Sequence, residues 1–224
     1  MSTPSTPDFG DTISRIGDFV RYPRRVMLQM LRSALSSEYL FTDTDGHRVP
    51  NEYRYEADAE GQTTKESRIE LADVYTEELE VTDPRPIILT QRGPLGFHDS
   101  SIDGFKGSDA RGLAIEYADF LRMPLTFLCF AQKDLMSEEI ALVAAFILRF
   151  FRNTILKNTL LHKIDSPVIG EIAVITRGSR SNLYSTPVSF SAYMPINWVV
   201  KTSRPKQAAG FSVRTSFPSM RLGL

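Results

Sequence analysis

The chain is poor in the residues from which disulfides and metal sites are built. Its 224 residues include one cysteine, Cys129, and three widely separated histidines, His47, His98 and His162. A lone thiol cannot form an internal disulfide or a multi-cysteine zinc site, and the histidines stand in no metal-binding spacing. We therefore expect no metal and no cofactor. Because Cys129 lies in the apolar run of residues 125–131, we expect a reduced and buried thiol.

Long apolar runs are also missing. The longest uninterrupted one covers residues 140–148 and is ended by Arg149, which makes it too short to span a bilayer. Residues 1–10 are polar and rich in serine, threonine and proline, with no basic stretch leading into an apolar one. We expect no membrane association and no secretion signal, and we expect residues 1–10 to be disordered.

Recognisable catalytic motifs are absent from the sequence. It contains no P-loop, and the glycines of residues 104–112 lack the spacing that dinucleotide binding requires. His98, Asp99 and Ser100 are the three residue types of a hydrolase triad, but neighbours in one loop do not converge as a triad must. Cys129 is a poor nucleophile because an apolar strand raises the pKa of a thiol. We expect that the protein is not an enzyme, and a small soluble hydrolase or transferase is the alternative.

The C-terminal segment differs in charge from the rest of the chain. Residues 201–224 carry five basic side chains and no acidic one, whereas residues 1–200 carry 21 basic and 27 acidic ones. An acidic body with a basic arm can bind its own copies, so we interpret residues 201–224 as an extended arm between subunits. A solvated tail and a nucleic-acid-binding module are the alternatives. The predicted contact residues are Lys201, Arg204, Lys206, Phe211, Arg214, Phe217 and Arg221.

Apolar periodicity predicts two helices. The first covers residues 12–37, with a break or kink at Pro23, and buries one face in its second half. That face comprises Met27, Met30, Leu31, Ala34 and Leu35. The second helix begins at Asp134 or Ser137 and has an apolar face wide enough to pack on a sheet. This wider face comprises Ile140, Val143, Ala144, Ile147, Leu148, Phe150, Phe151 and Ile155.

Strand signals predict a sheet. Apolar or alternating segments occur at residues 87–92, 123–132 and 170–176, and from Val188 onward. Pro195 cannot donate a ladder hydrogen bond, so we expect the last strand to lie at an edge or to carry a bulge there.

Two segments interrupt these elements. Residues 41–82 are predicted to form a hairpin or loop embellishment that leads into an acidic strand, because residues 70–83 hold six acidic side chains and no basic one. Residues 95–113, which contain several glycines, are predicted to be a long loop. The expected fold class is α+β, with a mixed or antiparallel sheet of about four to six strands, an N-terminal helix and one long helix packed across one face. We expect a single domain over residues 11–200.

The order of these elements, with the phrase Arg85-Pro86-Ile87-Ile88 at the entry of the first predicted strand, resembles that of tailed-bacteriophage neck and tail-terminator proteins. In that family an N-terminal helix precedes an Arg-Pro-apolar strand. A variable loop, a second apolar strand, a helix across the sheet and a final hairpin follow. The resemblance covers about residues 21–200. The chain departs from it at residues 41–70 and in the basic arm, which leaves a related neck, tail-tube or baseplate component as an alternative.

The resemblance implies a structural virion protein without catalysis. It implies a homo-oligomeric, hexameric ring in the neck of the virion, assembled in the host cytoplasm, that ends the tail tube and joins it to the head connector. DNA would pass through the ring without specific binding. Acidic side chains facing the lumen would repel its phosphates. The candidates for that role are Glu70, Asp73, Glu77, Glu78 and Glu80, and a solvated outer face is the alternative for them.

Overall fold

The fold is α+β, as the sequence predicts. The computed structural model describes residues 16–42, 45–59, 63–73, 85–98, 105–108, 114–176, 182–201 and 213–215. Two helices, α1 (Ile16–Leu35) and α2 (Asp134–Asn158), accompany a mixed sheet of ten strands and a separate two-stranded hairpin. The sheet has more strands than the expected four to six because several short strands flank the long ones.

Twelve strands lie in the described part of the chain. In chain order they are β1 (Tyr39–Thr42), β2 (Arg48–Pro50), β3 (Glu70–Asp73), β4 (Ile87–Arg92), β5 (Gly96–His98), β6 (Phe105–Ser108), β7 (Ala114–Ala131), β8 (Lys163–Ile164), β9 (Val168–Ile169), β10 (Ala173–Thr176), β11 (Asn182–Lys201) and β12 (Val213–Thr215). The hairpin is β1–β2, and the principal strand order of the sheet is β10-β11-β7-β4-β3. The pairings among the described strands are antiparallel except the parallel pair β3–β4.

The longest pairing in the described sheet is the antiparallel pair β7–β11. Its register runs without a shift from Tyr184 opposite Ala131 to Lys201 opposite Ala114. At about 3.4 Å per residue this ladder is roughly 60 Å long. Strands β4, β5 and β6 line the free side of β7 in succession, and β10, β9, β8 and β12 line that of β11. The prediction that residues 95–113 form only a loop is wrong, because β7 begins nine residues before the predicted 123–132 and offers an edge to β5 and β6.

Three prolines lie within the two central strands without disturbing their ladder. The carbonyl oxygens of Pro124 and Pro187 accept hydrogen bonds from the backbone N–H groups of Gly93 and Gly170, each at 2.8 Å, on the sides away from the β7–β11 ladder. A residue in an antiparallel strand directs its N–H and C=O to the same side, so the missing N–H groups also point outward. Pro195 has the same parity as Pro187, and the register through it is continuous. The predicted bulge is therefore absent, and the described strands leave the outer side of β11 unpaired at Pro195.

One face of the sheet carries the helices and the core. Alternate residues of the two long strands point into it, as a period of two requires, and they are Leu121, Met123, Leu125, Phe127, Cys129, Ala131, Val188, Phe190, Ala192 and Met194. Phe127 and Phe190 pack with ring centroids 5.0 Å apart at an interplanar angle of 59°. Helix α1 covers β3 and β4, and α2 covers β7 and β11. The two helices therefore share one core with the alternating face of the sheet.

Helix α1 buries the predicted face, since Met27, Met30, Leu31, Ala34 and Leu35 are all buried. It is continuous across Pro23, so the predicted break does not occur. The neighbouring side chains Tyr22 and Val26 are buried in the core, which holds the helix in place on both sides of the proline. The Tyr22 hydroxyl also accepts a hydrogen bond from the backbone N–H of Leu160 at 3.2 Å, just beyond the end of α2.

Helix α2 buries most of its predicted face, with Ile140, Ala144, Ile147, Leu148 and Ile155 buried and Val143 and Phe151 half-buried. The buried Ser137 and Thr186 hydroxyls, 2.8 Å apart, fix the start of α2 on β11. Phe150 does not belong to the buried face, contrary to the prediction, because its side chain is 80% exposed. At 3.6 residues per turn it lies roughly a third of a turn away from the centre of the buried face.

The embellishment is attached to the core by polar groups. The buried Asn51 amide donates hydrogen bonds to the carbonyl oxygens of Leu35 at 2.7 Å and Ser37 at 2.9 Å, which closes the C-terminal end of α1. The Arg85 guanidinium donates to the carbonyl oxygens of Thr64 at 2.8 Å and Ser67 at 3.3 Å. The arginine of the Arg-Pro phrase thus joins the embellishment to the entry of β4.

Cys129 is free and buried, as predicted, and burial raises the pKa of its thiol to about 12. The thiolate is the reactive form, so we expect native protein to react with a disulfide reagent at least about a hundredfold more slowly than unfolded protein at about pH 8. The absorbance of the released thiolate measures the reaction. One equivalent released in guanidinium is the control, and prompt release from the native protein would contradict the burial.

Candidate functional site

The predicted arm is described only at Lys201 and at strand β12. Lys201 ends β11 opposite Ala114, and Arg214 lies in β12 opposite Val199 of β11. Arg204, Lys206, Phe211, Phe217 and Arg221 lie outside the described residues. The chain therefore returns to its own sheet at residues 213–215, and those residues extend the outer side of β11.

Two of the predicted lumen acids lie on strand β3, and Glu77, Glu78 and Glu80 lie outside the described residues. Glu70 begins β3 and Asp73 ends it; both are half-buried. The Asp73 Oδ1 atom accepts a hydrogen bond from Arg24 Nη1 at 2.7 Å, and the two side chains are 16% and 4% exposed. The Asp73 charge is thus held by α1 through Arg24, whose role was not predicted from the sequence.

The histidines do not converge on a common site in the described structure. The His162 ring packs on Phe120 with centroids 4.7 Å apart, His47 lies between the strands of the β1–β2 hairpin, and His98 ends β5. Asp99 and Ser100 lie outside the described residues. The described residues hold no group of three or more histidine, cysteine, aspartate or glutamate side chains arranged to bind a metal ion.

A pocket of about 320 Å³ lies beside the end of α1, lined by Glu38, Pro50, Asn51, Arg54, Glu56, Glu66 and Arg68. Its charged groups are three carboxylates and two guanidinium groups, and Arg54 Nε lies 3.2 Å from Glu56 Oε1. The Asn51 amide is already engaged with the end of α1. The pocket therefore presents an ion pair, other charged side chains and a structural amide, which do not form a constellation for a particular reaction.

The outward side of α2 carries a row of apolar side chains. Four large side chains on it are between 47% and 80% exposed, and they are Leu135, Leu142, Phe146 and Phe150. Their spacing of seven, four and four residues places them along one line of the helix. We call this surface the α2 apolar face. The exposed Val168 and Ile169 lie on β9, which packs against α2, and they add apolar surface nearby.

Strand β10 is a second exposed apolar surface. It ends the principal strand order on the side of β11. Val174 is 56% and Ile175 is 38% exposed, although adjacent residues of a strand point to opposite faces. An apolar edge strand open on both faces is a template for pairing with another chain, and soluble proteins usually protect such edges.

No protein-family model matches the chain. No curated protein matches it either. In the described part of the chain, neither helix combines the length and apolarity that a membrane crossing requires. Fold geometry and exposed surfaces are therefore the observations from which a function can be argued.

Neither exposed surface was predicted from the sequence. The α2 apolar face was detectable, because Leu135, Leu142 and Phe146 recur at helical spacing on the side opposite the predicted core face. The exposure of β10 was not detectable, because Val174 and Ile175 have the same residue types as a buried strand. Only the strand order shows that β10 lies at an edge.

Proposed function

We propose that this chain is a structural subunit of a ring at the head-to-tail junction of a tailed bacteriophage. In this role it ends the tail tube, joins it to the head connector and leaves a channel for DNA. The observation that carries the proposal is the apolar edge strand β10, with Val174 and Ile175 exposed on opposite faces. The order of elements that resembles neck and tail-terminator proteins supports it.

Strand β10 favours a contact between unlike surfaces of two copies. The principal strand order ends in β10 on one side and in the parallel strand β3 on the other, so the two edges of the sheet differ. A contact of β10 with a different surface of the next copy is head-to-tail, and such contacts close into rings when the rotation permits. Pairing with a sheet edge supplies main-chain hydrogen bonds, and exposed apolar side chains add burial. Six copies is the number that the resemblance implies.

The charge distribution fits a channel that DNA passes without binding. Residues 1–200 carry six more acidic than basic side chains, and residues 201–224 are basic. In the proposed ring, Glu70 and the acids of residues 77–80 face the lumen and repel phosphates, while the part of the arm outside β12 contacts an acidic surface of a neighbouring subunit. Asp73 contributes to the fold through Arg24 instead.

The exchange Val174→Lys tests the ring. It places a charge in the proposed contact, so we expect the subunit dissociation constant to rise at least about a hundredfold and closed rings to disappear. Mass photometry and negative-stain electron microscopy of the purified chain measure both effects. The exchange Phe41→Lys is the matched control, because Phe41 is 50% exposed on the β1–β2 hairpin away from this edge. A wild-type chain without rings, or rings that persist in Val174→Lys, would overturn the proposal.

A further inference from the structure

The α2 apolar face is large for the surface of an isolated subunit. From Leu135 to Phe150 it runs about 22 Å along the helix, at 1.5 Å per residue. With on the order of 200 Å² for a large apolar side chain, the exposed fractions of its four residues amount to on the order of 500 Å². The largest apolar patch on a typical monomer is about 300–600 Å², and such patches are often functional. A specific interface buries about 800 Å² per partner, so this face with its polar border has the size of one.

The charges that border the α2 apolar face change sign along the helix. Glu138 is exposed beside the beginning of the face, and Arg149 is exposed beside its end on the same side of the helix. These two residues are eleven positions apart, which is about 16 Å along the axis, so they do not pair within one helix. Glu139 lies in the row of the face itself, between Leu135 and Leu142, and its Oε2 atom accepts a hydrogen bond from the Tyr53 hydroxyl at 2.8 Å. Glu138, at the border of the face, is exposed and can meet a charge on a partner.

We propose that a second copy of this chain docks on the α2 apolar face, with the two α2 helices antiparallel about a two-fold axis near residue 143. The midpoint of Leu135 and Phe150 and the midpoint of Glu138 and Arg149 both fall within one residue of that position. A single two-fold rotation therefore places apolar face on apolar face and brings Glu138 of each copy opposite Arg149 of the other. A two-fold contact requires a surface that is complementary to itself. On α2, both the row of apolar side chains and the charges of Glu138 and Arg149 meet this requirement.

This contact is independent of the proposed ring. It uses α2, whereas the head-to-tail contact uses β10, and each can be removed without the other. In a chain that carries Val174→Lys, in which the ring contact is weakened, pairing through α2 leaves a dimer. The dimer measurements are therefore made in that background as well as in the otherwise unaltered chain.

A charge exchange tests the antiparallel geometry. We expect Glu138→Arg and Arg149→Glu each to raise the dimer dissociation constant at least about tenfold, because each places like charges opposite one another twice. The double variant Glu138→Arg/Arg149→Glu restores opposite charges across the axis, and we expect it to return to within about threefold of the starting value. Sedimentation velocity over a concentration series measures all four chains. A double variant as weak as the single ones would overturn the two-fold arrangement, because a different partner surface would not be exchanged with it.

The apolar part of the contact is tested by Phe146→Glu, which we expect to raise the dimer dissociation constant about a hundredfold or more. Phe150→Gln, at a side chain that is 80% exposed, is a milder second variant that removes no buried side chain. Circular dichroism and the protection of Cys129 verify that both variants are folded. If both variants are folded and self-associate as strongly as the chain without them, the proposal is wrong. It is also wrong if the Val174→Lys chain shows no dimer.

Discussion

The exchange Asp73→Ala is expected to lower the free energy of unfolding by about 3–5 kcal/mol. It removes the carboxylate whose Oδ1 lies 2.7 Å from Arg24 Nη1 and leaves a guanidinium that is only 4% exposed without that partner. Removing one partner of a buried ion pair costs far more than the net contribution of the pair, because the remaining guanidinium stays desolvated. Urea denaturation followed by circular dichroism measures it.

The double exchange Arg24→Met/Asp73→Leu is the control for this interpretation. It replaces both charges by apolar groups of similar length, so we expect it to recover most of the stability that Asp73→Ala loses. A loss below about 1 kcal/mol for Asp73→Ala would show that the ion pair is not the buried contact described here. The result also bears on the lumen hypothesis. Charge reversal at Asp73 would change the stability of the fold. A test of whether acidic side chains repel DNA in the channel therefore has to use Glu70 and the acids of residues 77–80.

The exchange Asn51→Asp is expected to lower the free energy of unfolding by about 2–4 kcal/mol at neutral pH. Both donors of the Asn51 amide are lost, and a carboxylate then faces the carbonyl oxygens of Leu35 and Ser37 at the negative end of the α1 dipole. The shape of the side chain is unchanged, so the loss reports hydrogen bonding and charge. Thermal and urea unfolding measure it.

The matched control is Asn153→Asp, which makes the same chemical change at an exposed position on α2. We expect it to change the free energy of unfolding by less than about 0.5 kcal/mol. An Asn51→Asp variant as stable as this control would mean that the amide does not close the end of α1.

Local patterns in the sequence were sufficient to predict the two helices and the faces of the helices and strands that point into the core. The spacing of Met27, Met30 and Leu31 identified the buried face of α1, and the alternation from Val188 identified the face of β11 that meets the helices. Both follow from a fixed residue period, which depends on neighbours a few positions away. The fold class followed from the same signals.

Interactions between distant segments could not be predicted from the sequence. Asp73 was grouped with the other acids because nothing near it in the chain indicates Arg24, which lies 49 positions away. Strands β5 and β6 were missed because their residues are strands only beside β7, whose length set the edge available to them. Phe150 was placed in the core because a wide apolar face on a helix does not show where burial ends. In each case contacts with distant parts of the chain determined the structure more strongly than local sequence preference did.

The long β7–β11 ladder also has a consequence for the chain during its synthesis. Its partners are far apart in the chain, from Ala131 opposite Tyr184 to Ala114 opposite Lys201. At roughly 5–20 residues per second, synthesis leaves β7 waiting several seconds for the nearest part of β11 to emerge. During that interval the apolar side of β7 and the Cys129 thiol have no sheet beside them on the β11 side. Non-local strand pairing of this kind folds slowly, so a nascent chain is open to aggregation and thiol oxidation that the finished protein resists.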